Sequence, residues 1–349
     1  MNAALEPAMT RDAQVRRFGG GDLIACATLQ DGLEAFETSF GFWAYRRVWG
    51  MDVTLGGPIC APSDRRAMIE RFLARSRRPI LCYVRDELVR ELEGTTLACA
   101  GMGVDRHVNL DALIAAPVKE VRGALKKAEK ARLSLTPIDL AALDGATRRR
   151  LEAITARYLA NAECTVEMSF INRPMSYLPD PHRRVFLLEK HDREHDGLFG
   201  YAVLNPIYED GRATSYLLDI LRFEPTRLWG LWPTVVYELG ALLHREGLGM
   251  SVGFCPLHHV TVPPARASRT LDAQVRWMVR YLSSAQYLTR LRELKALIPG
   301  REEPRYIASF TRSALATFFA FMEASGVGFS YLFGPDLLRV IAAGWRGAP

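Results

Sequence analysis

The sequence predicts an α/β protein built in two halves, with mixed central sheets flanked by helices, and three observations predict it. Short apolar and β-branched runs alternate along the chain with helical patterns. A connection bearing Pro and Asp, Thr136-Pro137-Ile138-Asp139, divides the pattern. The 349 residues are 49% hydrophobic and 24% charged, a globular composition long enough for two domains of ordinary size. We expect a first unit over residues 1–135 and a second over 136–349, the second carrying the functional site.

In the first half, residues 40–55 supply aromatic and β-branched strand material. A helix follows over 63–76, with Ser63 as its cap and Met68, Ile69 and Phe72 on its apolar face. Residues 79–84 read as a strand, 86–93 as a helix, 95–104 as a strand and 118–132 as an amphipathic helix. In the second half a helix is expected over 147–159, then a proline-rich polar loop over 171–181. Strands over 184–189 and 199–206 flank the loop Lys190-His191-Asp192-Arg193-Glu194-His195-Asp196-Gly197. Residues 215–256 read as strand, turn, helix, strand. Val235, Val236, Leu239, Leu242 and Leu243 form the helix's apolar stripe and Gly247 its C-terminal stop.

Asp219 and Arg222 stand out because the strand around them is otherwise Tyr216, Leu217, Leu218, Ile220 and Leu221. A buried charge is costly unless paired or used, so this acid and base mark either a structural ion pair or a polar site at the strand's edge. Residues three apart on a regular strand point to opposite faces. For both to serve one site, the strand must bulge or end between them.

The turn before the following helix runs Arg227-Leu228-Trp229-Gly230-Leu231-Trp232-Pro233. Acyl-CoA enzymes of the GNAT class use small residues there, so that backbone N–H groups and the helix N-terminus can cradle a pyrophosphate. Trp232 would obstruct that approach, which weakens the case for acyl-CoA as a substrate without excluding it.

Basic charge lies in two regions. On the helix over 118–132, Val118, Val121, Leu125 and Ala128 make the expected buried face. Lys119, Arg122, Lys126 and Lys130 fall within an arc of roughly 80° elsewhere on the helix. A second region holds Arg266, Arg269, Arg276, Arg280, Arg290, Arg292 and Lys295. With a net charge of +6, both suit tRNA phosphates or an anionic lipid headgroup, and each alone also suits a solvated face.

Other features narrow the classes. The six cysteines have neither disulfide-framework nor zinc-ligand spacing, so a reducing cytoplasm is the expected setting, peripheral contact with the inner membrane face being allowed. His191 and His195 sit four apart, but Asp196-Gly197 signals a hairpin, and a solvated turn is preferred to a metal site. His258-His259 reads as loop before base. No cofactor is implied. The N-terminus lacks the apolar region of a secretory signal. No transmembrane segment is expected: the apolar run over 313–334 is broken by Glu323, Gly326 and Gly328, and reads as a core helix in preference to membrane contact.

Several pieces together resemble the catalytic domain of the bacterial phosphatidylglycerol lysyltransferase family. They are Asp219 and Arg222 in an Asp-x-x-Arg strand with Pro206 upstream, Leu55-Gly56-Gly57-Pro58, Met102-Gly103, the basic helix from Arg122, and Cys255-Pro256-Leu257. Leu291, Arg292, Leu294 and Lys295 ahead of Pro304-Arg305-Tyr306 complete the series, which spans residues 40 to 310. The resemblance implies tandem GNAT-like acyltransferase folds and aminoacyl-tRNA as donor, with an anionic lipid or small-molecule hydroxyl or amine as acceptor. Direct attack is preferred to an acyl-enzyme, since no Ser/His/Asp or Cys/His arrangement stands out in the sequence. Asp219 would accept a proton or hold the aminoacyl ammonium, and Arg222 would anchor a phosphate or polarise the ester carbonyl. Pro206, Lys295, Arg292 and the four cations of the basic helix would bind substrate. Two rivals are an acyl-CoA or acyl-carrier N-acyltransferase and a non-catalytic lipid- or RNA-binding descendant.

Overall fold

The structure is a computed structural model that describes residues 9–161, 166–180, 182–193, 196–225, 230–256, 268–281 and 291–327, without the side chains of 276–281. After the N-terminal helix α1 (Arg11–Phe18), the first strands are β1 (Glu34–Thr38), β2 (Gly41–Val48), β3 (Met51–Leu55) and β4 (Ile59–Cys60). The strand material expected over 40–55 is thus a hairpin. Its turn is Trp49-Gly50, both at positive φ (48° and 74°), as the tight turns that match strand twist require. Helix α2 (Arg65–Arg75) begins two residues later than expected, and Ser63 lies in a short 3-10 turn rather than at the cap.

Strand β5 (Pro79–Val84), helix α3 (Asp86–Glu91) and strand β6 (Ala98–Val108) follow, then helices α4 (Leu110–Ala115) and α5 (Lys119–Lys130). Val118 is the N-cap of α5 and is 38% exposed, so the buried face of this helix is Val121, Ala124 and Ala128. The Pro/Asp connection is itself ordered. Ser134–Ile138 forms β7, and Pro137 is tolerated because β7 is the last strand of the sheet.

The second half continues with α6 (Gly145–Asn161), β8 (Arg184–His191), β9 (Asp196–Glu209), β10 (Arg212–Phe223), α7 (Leu231–Arg245) and β11 (Gly249–Pro256). Then come α8 (Arg269–Tyr281), the helical segment 291–296 (α9), β12 (Gly300–Ser309) and α10 (Ala314–Ala324). The fold is the mixed α/β architecture expected, with the strands joined in one sheet. Its order is β1-β2-β3-β5-β12-β6-β11-β10-β9-β8-β7, with β4 beside β2. β12, late in sequence, lies between β5 and β6, so β12 as well as β11 joins the second half of the chain to the strands of the first.

Strand alternation divides the core into layers. Leu81 of β5 packs with Met68, Ile69 and Phe72 of α2, whereas Ile80 and Cys82 face Leu271 of α8 and Ala314, Ala320 and Ala324 of α10. In the second half Phe186, Leu188, Ala202 and Leu204 meet α4, α5 and α7, while Val185, Tyr201 and Val203 meet α6. The α7 residues Val235, Val236, Leu239 and Leu243 are at most 1% exposed. Each contributes about 1.5–3 kcal/mol by burial, an upper range for a compact unfolded reference. Trp43 is buried and donates its indole N–H to the Gly56 carbonyl at 2.9 Å, which ties the Gly56-Gly57-Pro58 turn to the core.

Candidate functional site

β10 and β11 pair in parallel only over Ser215–Leu217 and Gly249–Ser251. Just beyond, each strand breaks register with its other neighbour. β10 does so between Leu218 and Ile220 against β9, and β11 between Ser251 and Gly253 against β6. Asp219 is the extra residue in the β10 irregularity. That bulge resolves the three-residue spacing, for Asp219 and Arg222 both line one cavity.

The cavity measures about 370 Å³, within the usual range for a small-ligand site. Its walls are mostly apolar, including Met102 of β6, Ile307 of β12, Leu271 of α8, and Phe318 and Phe321 of α10. Among the described residues that line it, the carboxylate and the cations are Asp219, Arg222 and Lys295. These three charged side chains stand among otherwise mostly apolar walls.

Asp219 is held from two sides. Asn205 Nδ2 donates to its Oδ2 at 2.7 Å and the Arg173 backbone N–H donates to the same oxygen at 3.0 Å. Asn205 Oδ1 in turn accepts from buried Arg183 Nε at 2.8 Å. Among the described residues no donor reaches Asp219 Oδ1. Burial pushes the Asp219 carboxyl up to about 6, against the opposing pull of Arg183, the Arg173 amide, Asn205 and Arg222. The acid is ionised at neutral pH yet basic enough to take a proton.

Arg222 does not pair with Asp219. Its guanidinium meets Glu167 Oε1 at 3.1 Å and lies 4.7 Å from the centre of the Tyr158 ring. Lys295, on α9, is 7% exposed and donates Nζ to the Phe254 carbonyl at 2.7 Å. Burial lowers its pKa, with Cys255 and Asp105 opposing. An ammonium has three donors, so this contact leaves others for a substrate oxygen.

Behind the cavity wall a charged cluster is buried between β5, β6 and β12. Tyr83 lines the cavity and donates its hydroxyl to Asp105, which pairs with Arg305 at 2.6 Å, both charged side chains being fully buried. Burial pushes Asp105 up to about 6, with Arg305 and the Tyr83 hydroxyl opposing. Arg305 also meets Glu303 at 2.7 Å, and Glu303 reaches His107 and Arg85 at 3.1 Å each. Burial acts to raise Glu303, but His107, Arg305 and Arg85 together hold it well below the carboxylate range.

The other residues singled out from sequence lie elsewhere. Pro206 is buried in β9 opposite Tyr216, and its carbonyl accepts from the Cys26 thiol at 3.2 Å; its neighbour Asn205 is the residue that touches Asp219. Arg292 is exposed and outside the cavity lining. Lys119, Arg122, Lys126 and Lys130 are exposed on the outer face of α5, away from the lining, and Arg122 donates to the Pro117 carbonyl at 2.7 Å. Arg269 is exposed at the start of α8, while Arg266, Arg290, the side chains of Arg276 and Arg280, His195, Arg227 and His258-His259 fall outside the described residues. His191 Nδ1 lies 2.6 Å from Asp196 Oδ1 across its hairpin. Trp232 packs on the core shared by α5 and α7.

Glu167, Asn172, Arg173 and Arg183 were not legible as site residues, being loop positions without a local pattern. Asn205 did carry a signal, a lone amide directly after the apolar run Phe199–Leu204.

A family model described as phosphatidylglycerol lysyltransferase, C-terminal, matches residues 13–309. The chain belongs to this family. Its fold is similar to L-PGS from Bacillus licheniformis, with a TM-score of 0.72 and 14% identity, covering 93% of this chain and 98% of that one. It is likewise similar to the C-terminal domain of a candidate lysylphosphatidylglycerol synthetase from Agrobacterium fabrum, with a TM-score of 0.71 and 16% identity over 90% of this chain and 96% of that one. In sequence, an uncharacterized protein of Corynebacterium glutamicum is 27% identical over 276 residues, 75% of this chain. The chain spans about a third, 34%, of that relative's length. Within the lysyltransferase family frame, the Asp-x-x-Arg strand of this chain is the one that bulges into the cavity.

Proposed function

We propose that this domain transfers an aminoacyl group from aminoacyl-tRNA to a hydroxyl or amine of a lipid or small-molecule acceptor, by direct attack. The observation that carries the reading is that Asp219, Arg222 and Lys295 line one mostly apolar cavity in a member of the lysyltransferase family. The acceptor O–H or N–H attacks the ester carbonyl, and Asp219 Oδ1 takes its proton. Charge then develops on the former carbonyl oxygen, where Lys295 or Arg222 stabilises it. Collapse expels the terminal ribose oxygen of the tRNA, which recovers a proton from Asp219. The apolar walls suit the chain of a lipid acceptor, and the cations of α5 suit the tRNA backbone.

Acyl-CoA is the less favoured donor, and a specific contact argues against it. Gly230, at φ +87°, is packed so closely on α5 that a Cβ there would lie 2.5 Å from Ala124 Cβ. Helix α5 thus lies against the residue that caps α7, at the helix end where a CoA pyrophosphate would need open backbone.

The purified chain, given a charged tRNA pool with a radiolabelled amino acid and candidate acceptors, should label an acceptor, and prior ribonuclease treatment should stop it. Transfer that survives ribonuclease and requires acyl-CoA would promote the CoA reading. Binding of tRNA or lipid with no transfer from any donor would promote the non-catalytic one.

A further inference from the structure

Three of the seven exposed large hydrophobic side chains among the described residues gather at one end of the sheet. Trp49 forms the tip of the β2–β3 hairpin at 49% exposure, Phe310 follows β12 at 38%, and Leu315 lies in the first turn of α10 at 46%. Strand register puts them side by side. β3 runs parallel to β5 with Asp52 opposite Pro79, and β12 runs antiparallel to β5 with Ser309 opposite Ile80. The Asp52 N–H donates to the Arg78 carbonyl at 3.1 Å and the Phe310 N–H to the Pro79 carbonyl at 3.1 Å. The hairpin tip, the entry to β5 and the exit from β12 are therefore neighbours at strand spacings of about 4.8 Å.

Exposed cations share this end: Arg77 and Arg78 enter β5, and Arg312 joins β12 to α10. Asp52, in β3 beside the entry to β5, is paired with Arg47 at 2.9 Å and accepts from Ser76 at 2.6 Å. Glu93 precedes β6, whose first residue Ala98 pairs with Ser309, and Asp272 lies on α8.

We propose that this end of the sheet is the surface on which the domain docks to a bilayer carrying anionic headgroups. Indole and phenyl rings settle at the level of the headgroups, and guanidinium groups pair with phosphate there. Each basic residue beside an anionic leaflet strengthens binding about fivefold. α10 starts at this end and its Ala314, Phe318 and Phe321 wall the apolar part of the cavity, so a docked bilayer places acyl chains beside the element that bounds the chamber. The use of the docking rests on the lipid-acceptor reading, whereas the docking itself is read without turnover.

The test is co-sedimentation of the full chain with phosphatidylcholine vesicles, with and without phosphatidylglycerol. The wild type should bind the anionic vesicles and release them at high salt. The triple variant Arg77→Glu/Arg78→Glu/Arg312→Glu should lose at least about tenfold in partitioning. Trp49→Ser/Phe310→Ser should also bind more weakly, and both variants should keep the wild-type melting temperature and turnover on a water-soluble acceptor. Partitioning equal to wild type in the triple variant overturns the proposal. So does retained vesicle binding by the aromatic variant together with loss of a dimer in sedimentation equilibrium, which would make a second copy the occupant. If no variant, wild type included, transfers an aminoacyl group, the functional reading falls while the vesicle result still decides docking.

Discussion

Asn205 donates to Asp219 across 2.7 Å from the neighbouring strand, and buried Arg183 holds that amide from behind. The bulge in β10 brings the carboxylate to the cavity, and the Asn205 contact, with the Arg173 amide, occupies one of its two oxygens. The other, Oδ1, accepts from no donor among the described residues. Asp219 is thus both oriented and held near the pH at which a carboxylate serves as a base.

Asp219→Asn should abolish transfer and at the same time stabilise the fold at neutral pH. The folded carboxyl titrates near 6 against an ordinary 3.8, so the native state holds more protons between those values. The ionised acid therefore lowers stability as pH rises from about 4 to 6, and Asn removes that penalty while still accepting from Asn205 and Arg173. We expect a gain of about 1–3 kcal/mol at pH 7 and little difference below pH 4. Denaturant melts at both pH values check it; a loss of stability at pH 7 would make the acid a structural partner.

In the wild type, kcat/KM should rise with pH through about 6 as Asp219 ionises. Asn205→Leu removes a hydrogen bond to the ionised acid, so the ascending limb should move to higher pH with kcat reduced about tenfold or more. A pH–rate profile of that variant superimposable on wild type would show that Asn205 does not set the acid.

Breaking the buried ion pair should be costly in a different way. Asp105→Ala leaves Arg305 buried without its 2.6 Å partner and should destabilise by about 3–5 kcal/mol. Gly230→Ala should cost roughly 2–4 kcal/mol, since the residue sits at φ +87° and its new Cβ would press on Ala124. Equilibrium unfolding of each variant measures both effects.

Much of the fold was legible because periodicity is local. The stripes of α2 and α7, the β5 strand and the strand-turn-helix-strand around Asp219 follow from apolar spacing. Asp219 and Arg222 were visible as charges in an apolar strand, and the need for a bulge followed from their spacing. What was hidden is non-local. Nothing within Gly300–Ser309 says that it will slide between β5 and β6, and nothing in the loop after α6 says that Glu167 will meet Arg222. Pro206 was legible as a position but not as a contact, because in a strand the neighbour, Asn205, presents its side chain to the adjacent face. Val118 was misplaced by periodicity because capping takes it out of the helical frame.

The cations of α5 provide the last expectation. Lys119, Arg122, Lys126 and Lys130 are exposed along one helix whose opposite face, Val121, Ala124 and Ala128, is buried. Replacing the four by Glu should leave the fold intact, since only the Arg122 contact to the Pro117 carbonyl is lost among their hydrogen bonds to described residues. If the helix tracks a tRNA backbone, each cation that neutralises a phosphate releases a counterion on binding. Affinity should then fall steeply, and the slope of log K against log salt should shrink by about 0.7–0.9 for every contact removed. A solvated face would do neither. Titration of uncharged tRNA over a range of salt concentrations separates the outcomes, because an unchanged slope means that the helix carries charge without carrying the donor.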